Sequence, residues 1–166
     1  MNTYKIVLPF DTETIKNLKH HDKILLTGKL LTARDAAHKR MVEQLDRGEK
    51  LPFDLKAFPI YYCGPTPAKE GFPIGACGPT TSSRMDKYVK RLFAEGFKVM
   101  IGKGERSNEV KEQITLHNGL YLMAIGGAGA LYGQCVQNCR CIAYEDLGAE
   151  AIYELEVKDF PCYVHY

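Results

Sequence analysis

The chain has 166 residues, of which 45% are hydrophobic and 25% charged, and its formal net charge is +2. That length suits one domain, since domains most often hold about 100–150 residues, and a core of this size buries about 70% of the unfolded chain's surface. Gly 15 and Pro 8 are ordinary counts, which excludes collagen-like and linker-dominated chains, and no apolar run approaches the ~18–20 residues of a membrane span.

The opening MNTYKIVLPFDTET carries one lysine and a short apolar segment that ends at a proline and an acid, and it does not read as a signal peptide. Within it Tyr4–Leu8 is a predicted strand, and Asp11 or Thr12 caps a short helix running to Leu18. Lys16–Lys23 (KNLKHHDK) is the densest basic patch. It contains an aspartate and no aromatic residue, which makes a poor nucleic-acid footprint and a normal solvated helix end.

Lys23–Leu31 is a second strand, with Gly28 marking a bend or a close backbone approach. Arg34–Arg47 places Ala37, Met41, Val42 and Leu45 at helical spacing. Phe58–Cys63 is a compact strand, followed by a Gly/Pro-rich passage from Gly64 to Pro79. The tetrapeptide CGPT occurs twice there, at Cys63–Thr66 and Cys77–Thr80, and suggests two similar turns. Met85, Tyr88, Val89, Leu92 and Phe93 define the clearest helix, Ser82 to Glu95, with Gly96 just past its end.

Further on, Phe97–Ile101 is a strand, Ser107–His117 a helix capped by Ser107, and Leu120–Ile125 a strand. Gly126–Gly133 opens a short helix, and late strands fall near Cys141–Tyr144 and Ile152–Val157. Strands alternating with helices predict an α/β fold, organised as one domain over residues 1–166. Gly126–Gly133 spaces its glycines one residue too long for a dinucleotide fingerprint, and Lys103 lacks the context of a phosphate-binding loop.

Charge at the helix starts carries the functional signal. Arg34 and Arg84 fall in the first turns of their predicted helices, where a cation opposes the helix dipole by about 0.3–1 kcal/mol. A bound anion reverses that sign, and free backbone N–H groups already favour one. Lys103, in Gly102-Lys103-Gly104 directly after a strand, adds a third cation at the sheet edge where ligands collect in open α/β proteins. Together they would suit a small polyanion such as a dicarboxylate; separately, each is an ordinary solvated side chain.

Six cysteines without a secretory leader imply free thiols in a cytoplasmic protein. Cys135, Cys139 and Cys141 form C-x3-C-x-C, which matches neither a zinc ribbon nor a ferredoxin run, so these are expected to be buried thiols, not metal ligands.

Leu26–His38 (LTGKLLTARDAAH), Tyr62–Pro67 (YCGPTP), Gly78–Asp86 (GPTTSSRMD), Ile101–Gly104 (IGKG), Ala124–Leu131 (AIGGAGAL) and Tyr144–Pro161 (YEDLGAEAIYELEVKDFP) occur in this order along the chain. This series resembles the β part of the class I fumarate hydratases and L-tartrate dehydratases, the iron–sulfur hydro-lyases. The resemblance implies a three-layer swivelling β/β/α fold and a hydro-lyase acting on fumarate/malate or tartrate/oxaloacetate. A [4Fe–4S] cluster would be carried by a separate α subunit in an (αβ)2 assembly, with neither nucleic acid nor membrane involved. Matched position by position, Arg34, Arg84 and Lys103 correspond to substrate-carboxylate contacts, and Thr80 to the proton-abstracting base. On its own chemistry Thr80 is equally an N-cap, because a hydroxyl is a poor base unless cations lower its pKa. His38, four residues after Arg34 and on the same helix face, is a candidate proton relay or a structural hydrogen-bonding residue.

Overall fold

In the computed structural model, which describes residues 2–166, the strands are β1 (Thr3–Val7), β2 (Lys23–Thr32), β3 (Ile60–Tyr61), β4 (Val99–Gly102), β5 (Leu120–Met123), β6 (Val136–Ala143) and β7 (Ile152–Val164). The helices are α1 (Thr12–Asn17), α2 (Asp35–Asp46), α3 (Asp86–Ala94), α4 (Asn108–His117) and α5 (Gly129–Cys135), with 3-10 turns at Ser82–Met85 and Glu145–Glu150.

Local chemistry accounts for several boundaries. The Asp11 carboxylate accepts the Thr14 N–H at 2.6 Å to cap α1, and the Ser107 hydroxyl accepts the Val110 N–H at 3.2 Å to cap α4. Asn118, in the left-handed region at φ 53°, ends α4, as asparagine tolerates that conformation.

Strands are hydrogen-bonded in the order β1-β2-β3-β4-β5-β7-β6, and β2 pairs with β7 as well. The pairings β2–β3, β3–β4, β4–β5, β5–β7 and β7–β2 therefore close into a ring. β1 to β5 run parallel to one another, while β7 is antiparallel to β2, β5 and β6.

Strands β3, β4 and β5 are buried on both faces, and their residues alternate between two cores. Tyr61, Cys63, Val99, Ile101, Leu120 and Leu122 point inward with Leu155, Val157 and Phe160 of β7. Ile60, Tyr62, Met100 and Tyr121 point the other way, against Met41 of α2, Val89 and Phe93 of α3 and Ile114 of α4. The result is three layers, antiparallel strands on parallel strands on helices. This is the α/β architecture expected from the sequence.

Several boundaries differ from the sequence reading by a few residues, three of them most. The helix expected from Ser82 to Glu95 begins as a 3-10 turn and becomes α-helical only at Asp86. β6 starts at Val136, five residues before the expected strand. β7 runs to Val164, past Lys158, Asp159 and Pro161, which look like a strand end. The chain continues there through a bulge: Leu26 pairs with Phe160 but Gly28 with Val157, which leaves one extra residue on β7. Asp159 takes φ 50° at this point and its N–H donates to Thr27 Oγ1 at 3.2 Å. Gly28, at φ 134°, provides both the bend and the close approach: a Cβ there would lie 2.9 Å from Leu8 Cβ.

The two CGPT segments are extended and not turns, and they meet in the core. Cys63 and Cys77 are buried with their sulfurs 3.2 Å apart, both as free thiols.

Candidate active site

Parallel strands β2, β3 and β4 all end on one edge of the sheet, and the next residues of each form a common face. Ala33 N–H donates to the Tyr61 carbonyl at 3.1 Å, which holds the start of α2 against the end of β3. Segment 80–82 enters between the ends of β3 and β4 through an isolated bridge. Thr80 N–H donates to the Tyr62 carbonyl at 2.7 Å, Thr81 bridges Lys103, and Ser82 N–H donates to the Lys103 carbonyl at 2.9 Å.

Thr80 is thus fixed by backbone pairing. The cap position of the following turn belongs to Thr81, which makes no side-chain cap bond, so the N-cap alternative for Thr80 does not hold. Thr80 is half-buried and Thr81 exposed, as consecutive extended residues facing opposite ways.

A buried polar layer beneath this face sets its shape. The Ser82 and Tyr121 hydroxyls are hydrogen-bonded at 2.8 Å, and the Tyr121 hydroxyl donates to the Gly104 carbonyl at 2.7 Å, which fixes the Lys103-Gly104 turn. Gly102 makes room for Ser82, because a Cβ at Gly102 would stand 2.0 Å from Ser82 Oγ. The buried Arg106 guanidinium lies 4.8 Å from the Tyr121 ring and 5.2 Å from the Tyr62 ring, a cation–π arrangement. Its Nε donates to Asp86 at 2.7 Å, and the other Asp86 oxygen accepts the Ser107 N–H at 2.9 Å.

These contacts correct the helix-dipole argument. Arg84 lies in the 3-10 turn, and the acid in the first turn of α3 is Asp86. Arg34 does precede α2, yet the anion at that helix start belongs to the chain itself. Glu150 Oε1 accepts the Ala36 N–H at 3.2 Å and lies 3.5 Å from Arg34 Nε.

Arg34 and Arg84 are linked through Asp35, the first residue of α2. Asp35 Oδ1 accepts from Arg84 Nε at 3.2 Å, and Oδ2 pairs with Arg84 Nη2. The hydrogen bond from Arg84 holds the Asp35 carboxyl below its usual range, with the charges of Arg84 and Arg34 adding to it. Lys103 is half-buried and makes no ion pair among the described residues.

His38 sits under this group. Its Nδ1 is 2.9 Å from the Arg34 carbonyl, an acceptor, so that nitrogen carries the proton. The ring is 5.4 Å from Tyr62, edge-on, and stacks on Tyr88 at 5.7 Å. Burial pushes its pKa down to about 4, so the imidazole is neutral at pH 7. Nε2 is buried with no hydrogen-bond partner.

The cysteine-rich stretch is not buried as the sequence suggested: Cys141 is exposed, and Cys135 and Cys139 are half-buried, because β6 lies at the edge of the sheet. Burial pushes the Cys139 thiol up to about 11, and the Cys141 and Cys135 thiols face the Ala143 and Leu131 carbonyls. No group of three His, Cys, Asp or Glu side chains among the described residues is placed to hold a metal ion. No helix among those residues is long and apolar enough to cross a membrane.

Sequence reasoning missed Gly64, Ser82, Arg106, Tyr121 and Glu150. Gly64 and Glu150 lie inside motifs already singled out, YCGPTP and YEDLGAE, whereas Arg106 and Tyr121 follow no pattern that distinguishes them.

Fold and site together define a three-layer α/β domain that carries a threonine and three cations at the ends of its parallel strands. The chain belongs to the family described as Fumarase C-terminus, which matches residues 2–166. It is 42% identical over 144 residues to the aerobic class I fumarate hydratase of Escherichia coli (strain K12), covering 86% of this chain and 26% of that protein. It is 40% identical over 144 residues to fumarate hydratase 2 of Leishmania major, covering 86% and 25%. A Methanocaldococcus jannaschii protein provisionally named L(+)-tartrate dehydratase subunit beta is 36% identical over 151 residues, covering 88% of this chain and 77% of that one. The chain spans about a quarter of the length of these two fumarate hydratases.

Proposed function

We propose that this chain is the β part of a heteromeric iron–sulfur hydro-lyase that adds or removes water at a small dicarboxylate, of the fumarate/malate or tartrate/oxaloacetate type. The observation that carries the proposal is the setting of Thr80. It is held between β3 and β4, with Lys103 on the adjoining strand end and Arg84 four residues further on. The names of the relatives agree with this reading.

Arg34 and Arg84 bind the carboxylates through paired N–H donors, and Lys103 contributes a point charge. Thr80 takes the proton from carbon. Its hydroxyl must first give up its own proton to solvent, to which the half-buried side chain is open, and the Arg84 and Lys103 charges favour the resulting alkoxide. Lewis acidity toward the substrate hydroxyl is assigned to a [4Fe–4S] cluster on an α partner, because the thiols of this chain do not suit one.

Co-expression with a cluster-bearing α chain tests the proposal. The complex should hydrate fumarate or dehydrate tartrate, and the isolated chain should do neither; full turnover by the isolated chain ends the split-site reading. Thr80→Val should lower kcat by about 10²–10⁴-fold, the span of general acid–base catalysis, with KM little changed. Dicarboxylate binding by the lone chain, with no turnover in any complex, would make it a binding module instead.

A further inference from the structure

A guanidinium has two edges that can meet a carboxylate in parallel bonds, a side edge containing Nε and a terminal edge containing both Nη atoms. The two arginines at the strand ends are both met on the side edge, each by an acid of this chain. Arg84 presents Nε and Nη2 to Asp35, its partner across 49 residues of sequence. Arg34 presents Nε to Glu150 at 3.5 Å, and that Nε is buried with no hydrogen-bond partner. Among the described residues, neither the terminal nitrogens of Arg34 nor Nη1 of Arg84 make a hydrogen bond.

Stability does not account for the first pair. The Arg84 and Asp35 side chains are 51% and 42% exposed, and pairs so exposed contribute about 0–1 kcal/mol. Orientation does account for it, since two parallel bonds fix the plane of the guanidinium.

Both acids are themselves held. Asp35 opens α2, so its backbone is fixed by the helix. Glu150 ends a turn that is docked on α2: Arg40 grips both oxygens of Asp146 at 2.7 and 2.8 Å and lies 5.0 Å from the Tyr144 ring. The Ala36 N–H then fixes the Glu150 carboxylate itself.

We infer that Asp35 and Glu150 are positioning residues for dicarboxylate binding: Asp35 holds Arg84 by its side edge through two hydrogen bonds, Glu150 faces Nε of Arg34 as an ion pair, and each leaves the terminal edge of its arginine to the substrate. This rests on the proposed function. At the start of α2 the Ala36 N–H is already taken by Glu150, so Arg34 offers its guanidinium there and not the helix N–H groups.

The test is steady-state kinetics of the complex with its α partner, for Asp35→Asn, Asp35→Ala, Glu150→Gln and Glu150→Ala. KM for the dicarboxylate should rise about ten-fold in the alanine variants and less in the amides, which keep one acceptor oxygen, with kcat changed less than KM. A fall in KM would show that the acids compete with substrate, and an unchanged KM would reduce them to structural residues; either result overturns the inference. The amide variants are isosteric and keep the test decisive should an alanine variant fail to fold. Arg34→Ala and Arg84→Ala separate the two readings. If both retain wild-type kcat/KM, the proposed function fails. If both lose it while the acid variants change nothing, only the inference does.

Discussion

Gly64 lies flat beneath the guanidinium of Arg34: a Cβ built on Gly64 would stand 2.4 Å from Arg34 Cζ and 2.7 Å from Nη2. The glycine of the YCGPTP motif is therefore a platform for a cation thirty positions earlier in the chain. Gly64→Ala should push Arg34 off its position, and a displacement of about 1 Å at such a group can cost on the order of 10²-fold in rate. Kinetics of the complex should show that loss with Tm nearly unchanged, because the flexible arginine can move aside. Wild-type kcat/KM would show that Arg34 does not need this seat.

Gly102 is different, because what a side chain would meet there cannot move aside. Its Cβ would lie 2.0 Å from Ser82 Oγ and 2.7 Å from Tyr62 Cδ2, both in the buried layer. Gly102→Ala should destabilise the fold by about 1–3 kcal/mol, the usual cost of overpacking. Urea denaturation measures this, and adding Ser82→Ala should recover part of it.

Arg106 has a fully buried side chain, and its ion pair with Asp86 ties the start of α3 to the turn after Lys103. Removing one member of a buried pair costs about 3–5 kcal/mol, because the other charge is left unpaired. Arg106→Met should therefore destabilise strongly in denaturant titration. Asp86→Asn, which keeps an acceptor for Ser107 N–H, should cost less than Asp86→Ala.

His38 makes stability depend on pH. Its pKa is about 4 in the folded chain, against about 6.5 when unfolded. As pH falls below 6.5 the unfolded state takes up a proton that the folded state refuses, so stability is full above pH 6.5 and declines toward pH 4. The total is about 3 kcal/mol, at roughly 1.4 kcal/mol per unit. Urea midpoints measured from pH 7 to pH 4 should fall in the wild type and fall less in His38→Gln. Equal slopes would remove His38 as the cause.

Cys135, Cys139 and Cys141 should bind no iron. Anaerobic reconstitution of the isolated chain with iron and sulfide should give no bound iron after desalting, and serine substitution at the three positions should leave the iron content of the αβ complex unchanged. Stoichiometric iron in the isolated chain, lost in the serine variant, would place a cluster here.

Much of the fold was legible in local patterns, because periodicity and caps act over a few residues. The 85–93 apolar stripe does face the helix-side core: Met85, Val89, Leu92 and Phe93 are all buried. Asp11 and Ser107 cap the helices assigned to them. β7 was half legible, since Asp159 and Pro161 signal an end that the pairing with β2 overrides through a bulge.

The candidate site divides in the same way. From the sequence alone came the cations, their positions after strands, and the motifs shared with a known family. Three things needed the tertiary structure: the place of Thr80 between two strand ends, the neutral burial of His38, and the acids paired with each arginine. Asp35 and Arg84 are 49 residues apart, and Ala36 and Glu150 are 114 apart. No local propensity encodes such contacts. They exist because β2, β3, β4, β5 and β7 close into a ring that puts the ends of β2, β3 and β4 and the turn before β7 at one edge, and that closure decides which charges meet.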